Sequence, residues 1–241
     1  MQYLRPSHNK QSLSTLLDKK TQKNGLRNTV YSVCGNKYTG EWQNNKKHGW
    51  GIQVWKKTGA IYKGDWKCGM RDGCGMYSIG NPQSNEYTEY YGEWKNGKKH
   101  GFGIFSYNCS DIYEGEWSEN TRCGWGIMYC ANGDTYEGEW WKDKRHGKGI
   151  IQYANGNFYE GSWRDGNKNG YGKLFYPDKG QLYEGLWVDG VAKCGTLANF
   201  RCEASRPPKY QIPQLQLVDM QEVLTEAQSA FENHTITATQ E

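Results

Sequence analysis

Three histidines are the first residues in this chain that could do chemistry, since an imidazole near neutrality can act as a general base or ligate a metal. His48, His100 and His146 each stand directly before a glycine in the same local context. A catalytic histidine is singular and is met by a nucleophile or a metal, whereas one that recurs with a motif belongs to the architecture. The carboxylates recur in the same way instead of gathering as a pair. Among the 8 cysteines no two have CxxC spacing, which argues against a zinc site. Leu16-Leu17 is far too short for a secretory leader, so free thiols in a reducing, cytoplasmic compartment are expected. No catalytic, cofactor-binding or metal residue is assigned, no cofactor is expected, and the chain reads as a non-enzyme.

A second recurring series is cationic. Lys47, Arg71, Lys99, Arg122, Arg145 and Lys168 each fall nine residues after a tyrosine, and Lys46, Lys98 and Lys144 thicken the series. Placed at hairpin tips they would line one long edge of a sheet, about 10 Å apart. Such a ladder either keeps a hairpin edge soluble or contacts an acidic partner or anionic lipid. A third series is acidic: Glu41, Asp65, Glu93, Glu116 and Glu139, with Glu114, Glu137, Glu160 and Glu184 two residues earlier in their units.

All three series are positioned by one repeated unit, clearest from Tyr136 to Tyr153. It has the skeleton Tyr-x-Gly-x-Trp, a polar stretch, then Gly-x-Gly and a short apolar run. The skeleton starts at Tyr38, Tyr62, Tyr90, Tyr113, Tyr136, Tyr159 and Tyr183, in steps of 24, 28, 23, 23, 23 and 24 residues. A fixed period near two dozen residues signals a repeat array. Tyr136, Gly138 and Trp140 alternate, so in a strand they share one face and Glu139 takes the other. Lys142-Asp143-Lys144-Arg145-His146 is too short and polar for a helix, and Asn132-Gly133-Asp134 and Asn155-Gly156-Asn157 bracket the unit with turn signals. Each unit is therefore a β-hairpin, and its glycines clear space for neighbouring rings to lie over the backbone.

This skeleton resembles the MORN repeat, whose pattern is YxGxWxxGxxxGxG. Six units match between Tyr38 and Tyr176, and Tyr183, Gly185 and Trp187 begin a seventh, in which Cys194 and Thr196 replace the late glycines. The structural residues are Tyr38, Gly40, Trp42, Tyr62, Gly64, Trp66, Tyr113, Gly115, Trp117, Tyr136, Gly138, Trp140, Tyr159, Gly161 and Trp163. The resemblance implies an all-β fold, an elongated single-layer antiparallel sheet of tandem hairpins. It also implies an adaptor role in assemblies of motile cilia, flagella and male germ cells, including sperm vesicular organelles, and raises the odds of a homodimer.

Composition agrees with a ribbon of rings on glycines, with 31 Gly, 18 Tyr and 11 Trp among 241 residues. A net charge of +4 is too small to argue for nucleic acid. Residues 1–29 hold six Lys/Arg against one Asp and read as a flexible basic arm, whereas residues 197–241 hold three against six. The array is expected over 30–196, with Val30-Tyr31-Ser32-Val33 as its first edge strand and roughly fourteen strands in all. The seventh unit reads as a cap that cannot be continued. Beyond it, Pro207–Pro213 reads as extended, and a helix is expected over 219–233 with Met220, Leu224 and Phe231 on its apolar stripe. That stripe packs either on its own sheet or on a second protomer, making Tyr183, Trp187, Met220, Leu224 and Phe231 the candidate dimer contacts. Protein docking is the leading expectation; weak binding to anionic phospholipid through the cationic ladder is the alternative.

Overall fold

In the computed structural model, residues 21–80, 87–107 and 110–199 are described, all within a first compact unit spanning Met1–Phe200. The expected helix over 219–233, the Pro-rich segment and most of the basic arm lie outside the described residues.

Among the described residues there are fifteen strands. An edge strand β1 (Gly25–Tyr31) is followed by β2 (Lys37–Gln43) with β3 (Lys46–Val54), β4 (Ile61–Lys67) with β5 (Met70–Gly80), and β6 (Tyr87–Lys95) with β7 (Lys98–Tyr107). Then come β8 (Asp111–Ser118) with β9 (Thr121–Tyr129), β10 (Thr135–Trp141) with β11 (Lys144–Gln152), β12 (Phe158–Arg164) with β13 (Asn167–Tyr176), and β14 (Gln181–Val188) with β15 (Val191–Asn199). They hydrogen-bond in sequence order as one open antiparallel sheet.

The hairpin tips have only two residues. Lys142 and Asp143 both take positive φ, 46° and 66°, as a type I′ turn requires to match the twist of its strands. Beyond the tip the ladder is interrupted by a bulge. Trp140 faces Arg145 and Gly138 faces Gly149, so His146, Gly147 and Lys148 span the space opposite Glu139 alone. Gly147 sits in the left-handed region, φ 58°, where a β-carbon would collide with the Glu139 carboxylate. Bulges of this kind bend a strand and increase its twist.

The core is a single row of rings along the sheet. Tyr62, Tyr90, Tyr113, Tyr136 and Tyr159 are fully buried. From the second repeat on, the indole of the Tyr-x-Gly-x-Trp skeleton stands edge-on to the tyrosine of its own repeat and to that of the repeat before: Trp163 lies 5.4 Å from Tyr159 at 88° and 5.1 Å from Tyr136 at 82°. Such edge-to-face pairs are worth about 0.5–1.5 kcal/mol each beyond burial. Every repeat thus depends on its neighbour, as one-dimensional arrays do.

Two expectations are corrected. The sheet begins at Gly25, inside the supposed arm, because residues 25–31 pair with β2. The seventh unit does form its second strand, giving fifteen strands instead of fourteen. There the bulge is one residue shorter, so Gly195, not Thr196, faces Gly185.

Candidate functional site

Each repeat fixes its tyrosine in three ways. The Tyr136 ring lies over Gly138 and Gly149, where added β-carbons would strike its hydroxyl, and that hydroxyl donates to the Glu139 carbonyl at 3.0 Å. Tyr38, Tyr62, Tyr90, Tyr113 and Tyr159 make the equivalent bond. Burial raises the phenol pKa of Tyr62, Tyr90, Tyr113 and Tyr136 well above its usual value, and that of Tyr159 to about 12.

The indoles join repeats. Trp66, Trp94, Trp117, Trp140 and Trp163 donate from Nε1 to the carbonyls of Gly51, Gly75, Gly103, Gly126 and Gly149 in the preceding unit. At the two ends, Trp42 Nε1 and Trp187 Nε1 are buried without a protein acceptor.

The cationic ladder is not where the sequence places it. With the turn at the sixth and seventh residues after the tyrosine, the ninth is already in the return strand and opposite the tryptophan, on the aromatic face. Lys47, Arg71, Lys99, Arg122, Arg145 and Lys168 are half-buried there. Each cation lies over its own tyrosine and the next tryptophan: Arg71 is 3.9 Å from the Trp94 ring and Lys99 is 4.0 Å from that of Trp117. Lys47, Arg122, Arg145 and Lys168 reach Trp66, Trp140, Trp163 and Trp187 at 4.4, 4.3, 4.6 and 4.6 Å. Arg71 and Arg122 also donate to the carbonyls of Gly97 and Asp143 at the next hairpin tip. Burial pushes the amines of Lys47, Lys99 and Lys168 down to about 8.

The carboxylates face the other way, as their alternation with the rings requires. Glu41, Asp65, Glu93, Glu116 and Glu139 each accept the backbone N–H of the residue between the two late glycines: Trp50, Cys74, Phe102, Trp125 and Lys148. They therefore hold the bulges in shape. The donors Trp50, Phe102 and Trp125, and Tyr171 at the same place in the sixth repeat, are large rings that the sequence reading passed over. Trp50, Phe102, Trp125 and Tyr171 are 53%, 50%, 50% and 56% exposed. Their signal was positional, twelve residues after each tyrosine, and was masked because Cys74 and Lys148 occupy the same place in other repeats.

His48, His100 and His146 are half-buried within the bulges, with Nδ1 atoms that have no protein partner. Among the described residues no group of three or more His, Cys, Asp or Glu could hold a metal ion, and no helix is long and apolar enough to cross a membrane. The six cysteines among the described residues, including Cys123, Cys130 and Cys194, are free thiols. Of the candidate dimer contacts, Trp187 is buried in the aromatic row, edge-on to Tyr159 and Tyr183, which removes it from any docking surface. Tyr183 is partly buried against the same row. Met220, Leu224 and Phe231 lie outside the described residues.

Comparison with known proteins agrees with this geometry. The MORN repeat profile matches residues 38–58, 62–81, 90–108, 113–135, 136–158 and 159–181. MORN repeat-containing protein 3 of Xenopus laevis is 57% identical over 213 residues, 88% of this chain and 90% of that protein. The Mus musculus protein of the same name is 62% identical over 212 residues, covering 87% and 88% of the two chains, and that of Homo sapiens is 60% identical over 216 residues, covering 89% and 90%. The matched segments are the hairpins whose tyrosine, glycine and tryptophan build the aromatic row, and the chain belongs to the MORN repeat family.

Proposed function

We propose that this chain is a non-catalytic protein-binding scaffold, an adaptor that brings other proteins together along its sheet. The observation that supports this reading is the reverse face, where Trp50, Phe102, Trp125 and Tyr171 are each about half exposed in a register that recurs with the repeat. Exposed aromatic rows are costly to leave in water and characterise interaction surfaces. The setting we propose is cytoplasmic, in assemblies of motile cilia, flagella or male germ cells including the acrosome, and rests on family resemblance. Affinity capture from ciliated or germ-line tissue tests it, using the chain and a Trp50→Ser, Phe102→Ser, Trp125→Ser variant side by side. Proteins retained by the first and lost by the second are expected; identical captures would overturn the reading.

A homodimer through the last repeats is part of the proposal. All nine residues of β15 are exposed, Val191 and Leu197 by 56% and 58%. An open strand with apolar side chains invites pairing about a two-fold axis. The phospholipid alternative needs cations free to reach headgroups. The ladder side chains instead lie over rings, which favours a structural use of their charge.

A further inference from the structure

We propose that the reverse face of the third to fifth repeats docks a basic segment of a partner protein in polyproline-II conformation, with Arg or Lys at every third residue. This deepens the scaffold reading, on which it rests, by naming the chemistry of one partner.

The pairing register sets ring and carboxylate side by side. Phe102 faces Glu116 across β7 and β8, and Trp125 faces Glu139 across β9 and β10. Within each hairpin Glu93 and Glu116 reach the backbone N–H of Phe102 and Trp125 at 3.1 and 2.9 Å. Across β6 to β10 the row therefore reads Glu93, Phe102, Glu116, Trp125, Glu139. Two residues along the strands a second row reads Ile104, Glu114, Ile127, Glu137, Ile150 in the same alternation. Neither of these stretches contains a lysine or arginine: the ladder cations of these repeats are on the opposite face, Lys148 stands beyond Glu139 at the end of the first row, and Lys95, Lys98 and Lys144 lie nearer the hairpin tips.

That combination specifies the occupant. Apolar plates interleaved with carboxylates suit a cation that stacks on a ring and pairs with the acid beside it. The carboxylates are already held by their backbone bonds, so little side-chain freedom remains to be lost on binding. Like positions recur every second strand, at about 9.6 Å. A polyproline-II chain repeats its orientation every three residues over about 9.3 Å, so cations at every third residue stay in step with Glu93, Glu116 and Glu139. A β-strand alternates faces and would turn every second such cation away.

The test is fluorescence anisotropy of a labelled (Arg-Pro-Ala)4 peptide with the full chain. Glu93→Gln, Glu116→Gln, Glu139→Gln removes charge but keeps a carbonyl for each bulge N–H, and should weaken binding at least tenfold. Phe102→Ser, Trp125→Ser should do the same. Asp165→Asn, Asp178→Asn, Asp189→Asn, an equal charge change elsewhere, should not. A peptide of the same composition with its arginines clustered should bind several-fold more weakly. Thermal melts confirm that each variant is folded. Unchanged affinity in the Glu variant, or loss only when Lys99 and Arg122 are replaced, would overturn the proposal. A tenfold gain on deleting residues 1–20 would give the face to the chain's own basic arm and overturn it equally. No peptide binding, with tissue capture still yielding partners that the ring-to-serine variant loses, sinks this inference and leaves the scaffold standing; failure of both sinks both.

Discussion

Trp163 donates its indole N–H to the carbonyl of Gly149, 3.0 Å away in the preceding repeat, whereas Trp187, equally buried, has no protein acceptor. The pair isolates one hydrogen bond from the burial of one ring. Trp163→Phe should cost about 1–2 kcal/mol more than Trp187→Phe, the cost of leaving a buried acceptor unpaired. Urea denaturation of the two variants checks it, and equal losses would show that the indole bond contributes nothing net.

The glycines under the rings should be irreplaceable. A β-carbon at Gly138 would lie 2.8 Å from the Tyr136 hydroxyl and closer still to Gly149 Cα and the Lys148 carbonyl oxygen. Most of those neighbours are backbone and cannot move aside cheaply. Gly138→Val should destabilise by about 3 kcal/mol or more, at or beyond the upper end of core overpacking. A melt matching that of the parent chain would remove the packing argument.

Stability should rise on going from about pH 7.5 to about pH 9.5. The folded-state pKa of Lys47, Lys99 and Lys168 is about 8 against an ordinary 10.5. Between those values the unfolded chain holds protons that the folded chain has released, so raising the pH favours the fold. The buried phenols act oppositely above pH 10, where only the unfolded chain ionises them. Lys47→Arg, Lys99→Arg, Lys168→Arg, which copies the ladder residue of the other repeats, should flatten the rise in urea midpoint. A slope identical to the parent's would assign it to other groups.

Vesicles containing anionic lipid should bind the chain weakly and release it near physiological salt. The ladder cations are engaged over rings, and what field they project is screened within a Debye length. Salt-resistant flotation that is abolished by replacing Lys99, Arg122 and Arg145 would favour the membrane reading over the scaffold.

Light scattering at micromolar concentration should return the mass of a dimer. Ending the chain before β14, at Tyr176, should return a monomer. A monomer of the full chain sinks the dimer, and a dimer that survives the truncation would show that another surface joins the protomers.

Much of the fold was legible because residues alternate between faces along an unbulged strand: Tyr136, Gly138 and Trp140 had to share a face, and Glu139 had to leave it. The cationic series was misplaced for a local reason. Its position depends on where the turn lies: Asn96-Gly97 and Asp165-Gly166 mark that turn openly, but in the unit from which the others are read Lys142-Asp143 turns the chain at positive φ without the signature. A shift of two residues moved Arg145 from an imagined tip to the face of Trp163. The seventh unit was misread because its bulge is one residue shorter, which brings Gly195 to the place that counting gives to Thr196. Trp125 and its counterparts escaped notice because the same position holds Cys74 or Lys148 elsewhere.

The backward direction of the indole bond gives the array a polarity. Stripping any of the first five repeats in turn from the amino-terminal end uncovers a tryptophan whose N–H has just lost its acceptor, an indole without a partner like that of Trp42. Stripping them from the other end uncovers only a glycine carbonyl, which water can satisfy. Lengthening and shortening of such a chain should therefore be easier at its tail than at its head, so that the number of hairpins can drift while the starting hairpin stays fixed.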